Sequence, residues 1–301
     1  MGLTIGNFDG VHRGHRAMLD RLVARTRELK LACSVLTFEP HPREFFSAAT
    51  APSRLSRLRE KLELIAEAGI DRTHVLRFGA PLAAMSAERF VEDVLVRGLG
   101  VRWLLVGRDF RFGAKRAGDF SLLQQAGARL GFETEAMADV LDGPQRISSS
   151  GVREALALGK LADAARLLGR PYTMSGRVAH GEKLGRTLGF PTANIVLRRR
   201  PPLAGIFAVE AEIEETERTL TGGQPLRGVA SVGRRPTVKE NAAPLLEVHL
   251  FDWRGDLYGR HLRVKFLRKL RDEAKYDGLE ALRAAIARDA AEAKDYFATH
   301  G

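Results

Sequence analysis

The sequence predicts an α/β domain built on an open parallel sheet, followed by a smaller, mainly β domain that ends in a long helix. Three observations carry this. Short apolar runs alternate with helically spaced segments through the first half of the chain, the pattern of a sheet covered by helices on both faces. Beyond residue 170 strand-like pieces recur between Gly- and Pro-rich turns, which favours an antiparallel sheet or small barrel. Residues 277–297 then carry Leu279, Leu282, Ile286 and Ala290 near one helical face.

The elements follow in order. Leu3-Thr4-Ile5 is a short strand, and the spacing over Arg16–Leu22 predicts a helix. Strands are expected at 31–38, 73–76, 101–106 and 132–136. Helices are expected at 54–68, at 86–96 from a serine cap, and at 120–130. Residues 148–168 suggest two short helices, and Gly169-Arg170-Pro171-Tyr172 ends that pattern. The expected division is therefore 1–169 and 170–301. In the second part the strand candidates are 173–178, 206–213, 227–232, 245–250 and 263–270.

Bulk properties narrow the class. The 301 residues are 45% hydrophobic and 28% charged, as expected of a soluble globular protein with real cores. No apolar run is long enough to span a bilayer, and no leader pattern precedes the first motif. The single cysteine, Cys33, forbids an intramolecular disulfide and suits a reducing cytoplasm. Net charge is +11, which can serve nucleic acid. With no zinc-ligand spacing, no RNA-stacking aromatic signature and no lysine-rich tail, phosphorylated small molecules are the better partners. A homo-oligomer is compatible with the composition.

The chemistry concentrates in two strings. The first is Gly6-Asn7-Phe8-Asp9-Gly10-Val11-His12-Arg13-Gly14-His15, a glycine-punctuated loop between strand and helix. A helix start attracts phosphate through free N–H groups and its dipole. Two imidazoles there can neutralise a polyphosphate. The second is the glycine-rich run Gly176–Asn194, with Gly176, Gly181, Lys183, Gly185 and Pro191. Its glycines could shape a phosphate loop, or only a hairpin. Thr192 and Asn194 offer hard oxygen ligands two residues apart, which suit magnesium together with ATP oxygens. Elsewhere, residues 38–42 hold His41 and Pro42 after the second strand. Residues 106–113 hold Asp109 after a later one, and residues 147–153 put Ser149, Ser150 and Arg153 at a helix start. Taken singly, each of these is as well explained by a turn or a cap.

Together the blocks carry a resemblance. The first string resembles the signature of the nucleotidyltransferase superfamily with a His-x-Gly-His motif, in the form of its FAD synthetase branch. Residues 38–42, 106–113 and 147–153 match further blocks in order, with Ser150 where the family usually has Thr. The second string resembles the riboflavin kinase signature, as do residues 205–209, 228–237, 245–252, 256–259 and 267–271. The chain thus looks like the prokaryotic FAD synthetase family, in which a Rossmann-like transferase domain precedes a riboflavin kinase barrel.

The resemblance implies phosphorylation of riboflavin to FMN by ATP with magnesium, then adenylylation of FMN to FAD. It implies that His12 and His15 serve the triphosphate, assisted by Ser149, Ser150 and Arg153. Gly6, Asn7, Phe8, Asp9 and Asp109 would bind nucleotide, and His41 and Pro42 flavin. In the second domain it makes Glu247 the general base, on a strand that also presents His249, and puts Arg271 near the flavin. Family members commonly carry a longer lead-in, so a weakened sheet edge is expected at the start. A flavin- or nucleotide-binding regulator is the alternative of a different class.

Overall fold

The computed structural model describes residues 1–181, 185, 188–197, 199–214, 225–233 and 243–300. The chain forms two compact units, Met1–Pro52 with Ser56–Ser149, and Ser53–Leu55 with Ser150–Gly301.

The first unit is built on five strands: β1 (Gly2–Ile5), β2 (Cys33–Glu39), β3 (Arg72–Arg77), β4 (Trp103–Gly107) and β5 (Glu133–Met137). They lie in the order β3-β2-β1-β4-β5, and every pairing is parallel. Strand residues alternate between two cores, as period-2 side chains must. Leu3, Ile5, Leu104 and Val106 pack with Phe90, Val91, Leu95 and Leu123. Cys33, Val35, Trp103 and Leu105 pack with Leu19, Leu22 and Ile65. The second group covers one face with α1 (Arg13–Glu28) and α3 (Leu58–Ala66); α2 (Pro42–Phe46) is a short helix after β2. β1 is the central strand, bonded to β2 and β4 on its two sides.

The opposite face carries α6 (Phe120–Leu130) and a π-helix over Phe90–Gly98, preceded by α4 (Ala80–Ala83) and α5 (Ala87–Arg89). The single helix expected at 86–96 is therefore capped by Ser86, whose side chain accepts from Arg89 N, and then widens to π geometry. A two-stranded ribbon, β6 (Leu141–Asp142) and β7 (Gln145–Arg146), follows β5.

The second unit opens with α7 (Ser149–Ala157) and α8 (Leu161–Leu168). By contact, the units divide at Ser149/Ser150. The physical reason is that Val152, Ala155, Leu156, Leu161, Ala164 and Leu168 share one core with the strands that follow. The Gly169–Tyr172 turn marks where helix gives way to strand.

Those strands are β8 (Tyr172–Ala179), β9 (Ala193–Val196), β10 (Gly205–Glu214), β11 (Leu226–Gly233), β12 (Leu245–Leu250) and β13 (His261–Arg271). They close into an antiparallel barrel in the order β10-β11-β12-β9-β8-β13, which removes exposed sheet edges. Phe207, Ala230, Leu246, Val248, Val264 and Phe266 are almost wholly buried in its core.

The last helix, α9 (Leu279–His300), packs outside the barrel through Ala293 and Phe297 against Ile206, Ala208 and Val229. Its buried stripe is Ala285, Asp289, Ala290, Ala293 and Phe297, which shares Ala290 with the expected one, and Leu279 is exposed. Arg271 holds Asp289 in a two-pronged ion pair at 2.7 and 2.6 Å.

Candidate functional site

In the first unit the Gly6–His15 loop leaves the carboxyl end of β1, where open α/β sheets bind ligands. Its backbone is unusual. Phe8 and Val11 have φ of +48° and +39°, a region that costs a non-glycine residue about 1–3 kcal/mol and clusters at functional loops. Gly6 admits the buried Phe8 ring, which would lie 2.9 Å from any Cβ there.

His12 is the N-cap of α1, and its Nδ1 accepts from His15 N at 3.2 Å. The two imidazoles stack with centroids 3.7 Å apart and 15° between planes. His12 is buried, and His15 Nδ1 is enclosed without a hydrogen-bond partner among the described residues. Burial, then the neighbouring His12 and Lys61, push the His15 pKa well below the ordinary 6.5. Enclosure thus disfavours the charged form of His15 in the folded protein.

That depression has a consequence for stability. Below about pH 6.5 the unfolded chain takes up a proton that folded His15 refuses, so stability falls as pH drops through the unfolded value. The limiting slope is about 1.4 kcal/mol per pH unit for one proton. His15→Gln is expected to flatten this loss in the first unit between pH 7 and 5. Unfolding followed through the buried Trp103, in a Trp253→Phe background, checks it; equal pH slopes for the two proteins would refute it.

Around the histidines the loop is braced. Asp9 is buried and accepts from Ser56 N at 3.1 Å, and Gly10 N donates to Ser56 Oγ at 3.1 Å. Ser149 Oγ donates to Asp9 O at 2.9 Å. The buried Lys61 donates to Asn7 O at 3.2 Å and to Thr37 Oγ1 at 3.0 Å. Sequence reasoning missed Lys61, Ser56 and Thr37, because nothing in a helical or strand pattern says which polar residue turns inward. Ser150 and Arg153 follow on α7 within the second unit, where Arg153 Nε donates to Ser53 O at 2.6 Å.

Two further loops share the carboxyl edge. His41 caps α2 through Nδ1, and Pro42 is that helix's first residue. Beside them Phe45 and Phe46 are exposed and meet Phe78 edge to face at 5.6 and 5.8 Å, an apolar platform the motif alone did not reveal. After β4, Asp109 pairs with Arg146 at 2.8 Å, and that hydrogen bond holds its carboxyl below the usual range.

In the second unit the register of β9, β12 and β11 puts Asn194 opposite Glu247, and Glu247 opposite Ser231. Directly opposed residues share a face. Since Leu246 and Val248 point into the core, this row is on the barrel's outer side. Asn194 is 5% exposed, and its Oδ1 is enclosed with no hydrogen-bond partner among the described residues. A buried carbonyl oxygen left so is costly, and is the type of donor a hard cation takes. Thr192 stands two residues before it. The pair thus offers two oxygen donors of the hard kind that magnesium takes.

Glycine enforces the approach here too. A Cβ at Gly181 would come within 2.5 Å of the Asn194 amide, and one at Gly185 would collide with Phe190 O. Gly176 is instead a buried residue inside β8, opposite Leu262. Lys183 lies outside the described residues. His249 Nδ1 lies 2.9 Å from Pro191 O. Next to this row opens a cavity of about 530 Å³ lined by Val178, Pro191, Thr192, Trp253, Leu257 and Tyr258. At its side His180 packs on Tyr258 with ring centroids 3.9 Å apart and planes tilted by 31°. Tyr258 lies in the 256–259 block, but Trp253 was not legible because it sits in a loop that shows no periodicity. Arg271, expected near flavin, is held by Asp289.

The same two-part picture appears in known proteins. Residues 1–151 match the FAD synthetase family and residues 168–297 the riboflavin kinase family. The bifunctional riboflavin kinase/FMN adenylyltransferase of Escherichia coli K12 is 50% identical over 98% of this chain and 92% of its own length. That of Pseudomonas fluorescens is 51% identical over 97% and 91%. A crystal structure of a macrolide-efflux protein from Streptococcus pneumoniae superposes with a TM-score of 0.78 at 28% identity, over 96% of this chain and 91% of that one. Among the described residues no helix is long and apolar enough to cross a membrane. Matched over nearly its whole length, the chain belongs to the bifunctional riboflavin kinase/FMN adenylyltransferase family.

Proposed function

We propose that the two units divide two successive reactions, the second unit converting riboflavin to FMN and the first converting FMN to FAD. The observation that supports this division is that each unit holds a polar site of its own: the stacked His12–His15 pair in one, the Asn194–Glu247–Ser231 row in the other. The functional border is drawn between residues 169 and 170.

In the kinase site Glu247 takes the proton of the ribityl terminal hydroxyl as that oxygen attacks the γ-phosphorus of ATP. A new O–P bond forms, the bond to ADP oxygen breaks, and the proton resides on Glu247. Thr192 and Asn194 would hold the magnesium that accompanies ATP, and its charge would offset that of the phosphates. Gly181 and Gly185 let the backbone approach the phosphates, and the cavity beside Trp253 and Tyr258 takes the adenine.

In the transferase site the FMN phosphate attacks the α-phosphorus of ATP. The α–β bond breaks and pyrophosphate leaves, with no proton to remove. His12, His15 and the loop N–H groups align the triphosphate and neutralise the charge that grows on it. His41 and the Phe45/Phe46/Phe78 platform receive the flavin ring. Asp109 serves the nucleotide while Arg146 holds it ionised. Arg271 acts on the flavin side only indirectly, through the chain it anchors. The setting is cytoplasmic, with small-molecule partners rather than nucleic acid.

Asn194→Ala tests the metal reading. The magnesium concentration for half-maximal FMN formation is expected to rise at least about tenfold, the loss of one good ligand, while the magnesium dependence of FMN adenylylation stays as it is. An unshifted kinase titration would remove Asn194 from the metal.

A further inference from the structure

Just past β13 the chain places a carboxylate that neither the motifs nor the reaction above use. Glu273 lies against Gly233 of β11, so closely that a Cβ there would collide with its carboxylate. Gly233 opposes Leu245 and Ser231 opposes Glu247. Gly233 is thus the diagonal neighbour of Glu247 on the barrel's outer face, at a typical separation of about 7–8 Å. The Glu273 carboxyl is pushed up by burial and by the charge of Glu247, against an opposing pull from Arg271.

The segment is anchored. Arg271 grips Asp289 of α9 and donates through Nη1 to Asp272 O at 2.9 Å. A Cβ at Gly205 would meet Arg271 O, so the backbone crosses the start of β10 at close range. The result is a second acceptor on the β11 side of Glu247, while the enclosed and unpartnered Asn194 Oδ1 lies on the β9 side. An in-line transfer needs the attacking alcohol and the departing ADP oxygen on opposite sides of the γ-phosphorus, with the base beside the alcohol.

Building on the kinase reading above, we propose that Glu273 is the specificity carboxylate of the acceptor side, taking a hydrogen bond from a secondary hydroxyl of riboflavin's polyol chain. This fixes the chain so that its terminal hydroxyl faces Glu247. Arg271 is the positioning residue behind it.

The test compares riboflavin with 7,8-dimethyl-10-(5-hydroxypentyl)isoalloxazine, which keeps the ring and the terminal alcohol but lacks the secondary hydroxyls. In the wild-type enzyme kcat/KM favours riboflavin. In Glu273→Ala the ratio of the two kcat/KM values is expected to fall about 10- to 100-fold, the worth of a hydrogen bond to a charged group. Glu273→Gln should recover part of it. Turnover of the analogue shows that the barrel is folded. A ratio equal to wild type, in either a fully active or a uniformly weakened variant, overturns the inference and leaves the kinase reading standing. Absence of FMN formation by the wild-type enzyme overturns both.

Discussion

Replacing Glu247 by Gln is expected to lower FMN formation about 10²- to 10⁴-fold, the usual worth of a general base, and to leave adenylylation of supplied FMN intact. Glutamine keeps the size of the side chain and can still accept a hydrogen bond, so the β9–β12–β11 row should persist. It cannot keep a proton taken from the attacking alcohol. The loss should therefore fall on kcat, because an interaction made only as the proton moves lowers kcat and kcat/KM together. FMN production at the wild-type rate would remove Glu247 from the chemistry. A rise in KM with kcat preserved would make it a binding residue.

The double replacement His12→Ala/His15→Ala should have the mirror effect, lowering FAD formation by at least about 10³-fold while FMN still accumulates. Removing one preorganised charge-stabilising donor typically costs about 10²–10³, and the two rings act as one stacked unit, so their losses need not add. The single variants should differ. His12 caps α1 and is buried, so His12→Ala also forfeits about 1 kcal/mol of helix stability. His15 has no capping role, so its replacement should lower activity with little effect on melting. Rates of FAD formation, with melting curves for each variant, separate the two; normal FAD output from the double variant would contradict the assignment.

What the sequence made legible was local. The strand at 245–250 and the helix at 120–130 match β12 and α6 residue for residue, since their period and caps lie within the segment. The histidine pair at the start of α1 was legible for the same reason. What depended on pairing was not. β9 is only four residues long and sits between a glycine-rich run and an arginine run, so no alternation could announce it. Yet it is β9 that sets Asn194 beside Glu247. The face of α9 was legible only in part: Ala290 is buried as expected, while the buried Asp289, paired with Arg271, carries no apolar signal and Leu279 is exposed. Lys61 and Glu273 reach their sites from elements distant in the chain, through contacts that no spacing records.

The most direct test of separate sites is a chromatographic time course of riboflavin, FMN and FAD with ATP and magnesium, for Glu247→Gln, for His12→Ala/His15→Ala, and for an equimolar mixture of the two. The account predicts that neither protein alone turns riboflavin into FAD, and that the mixture does so with FMN rising first. FAD from either protein alone, or none from the mixture while the histidine variant still makes FMN, would contradict it.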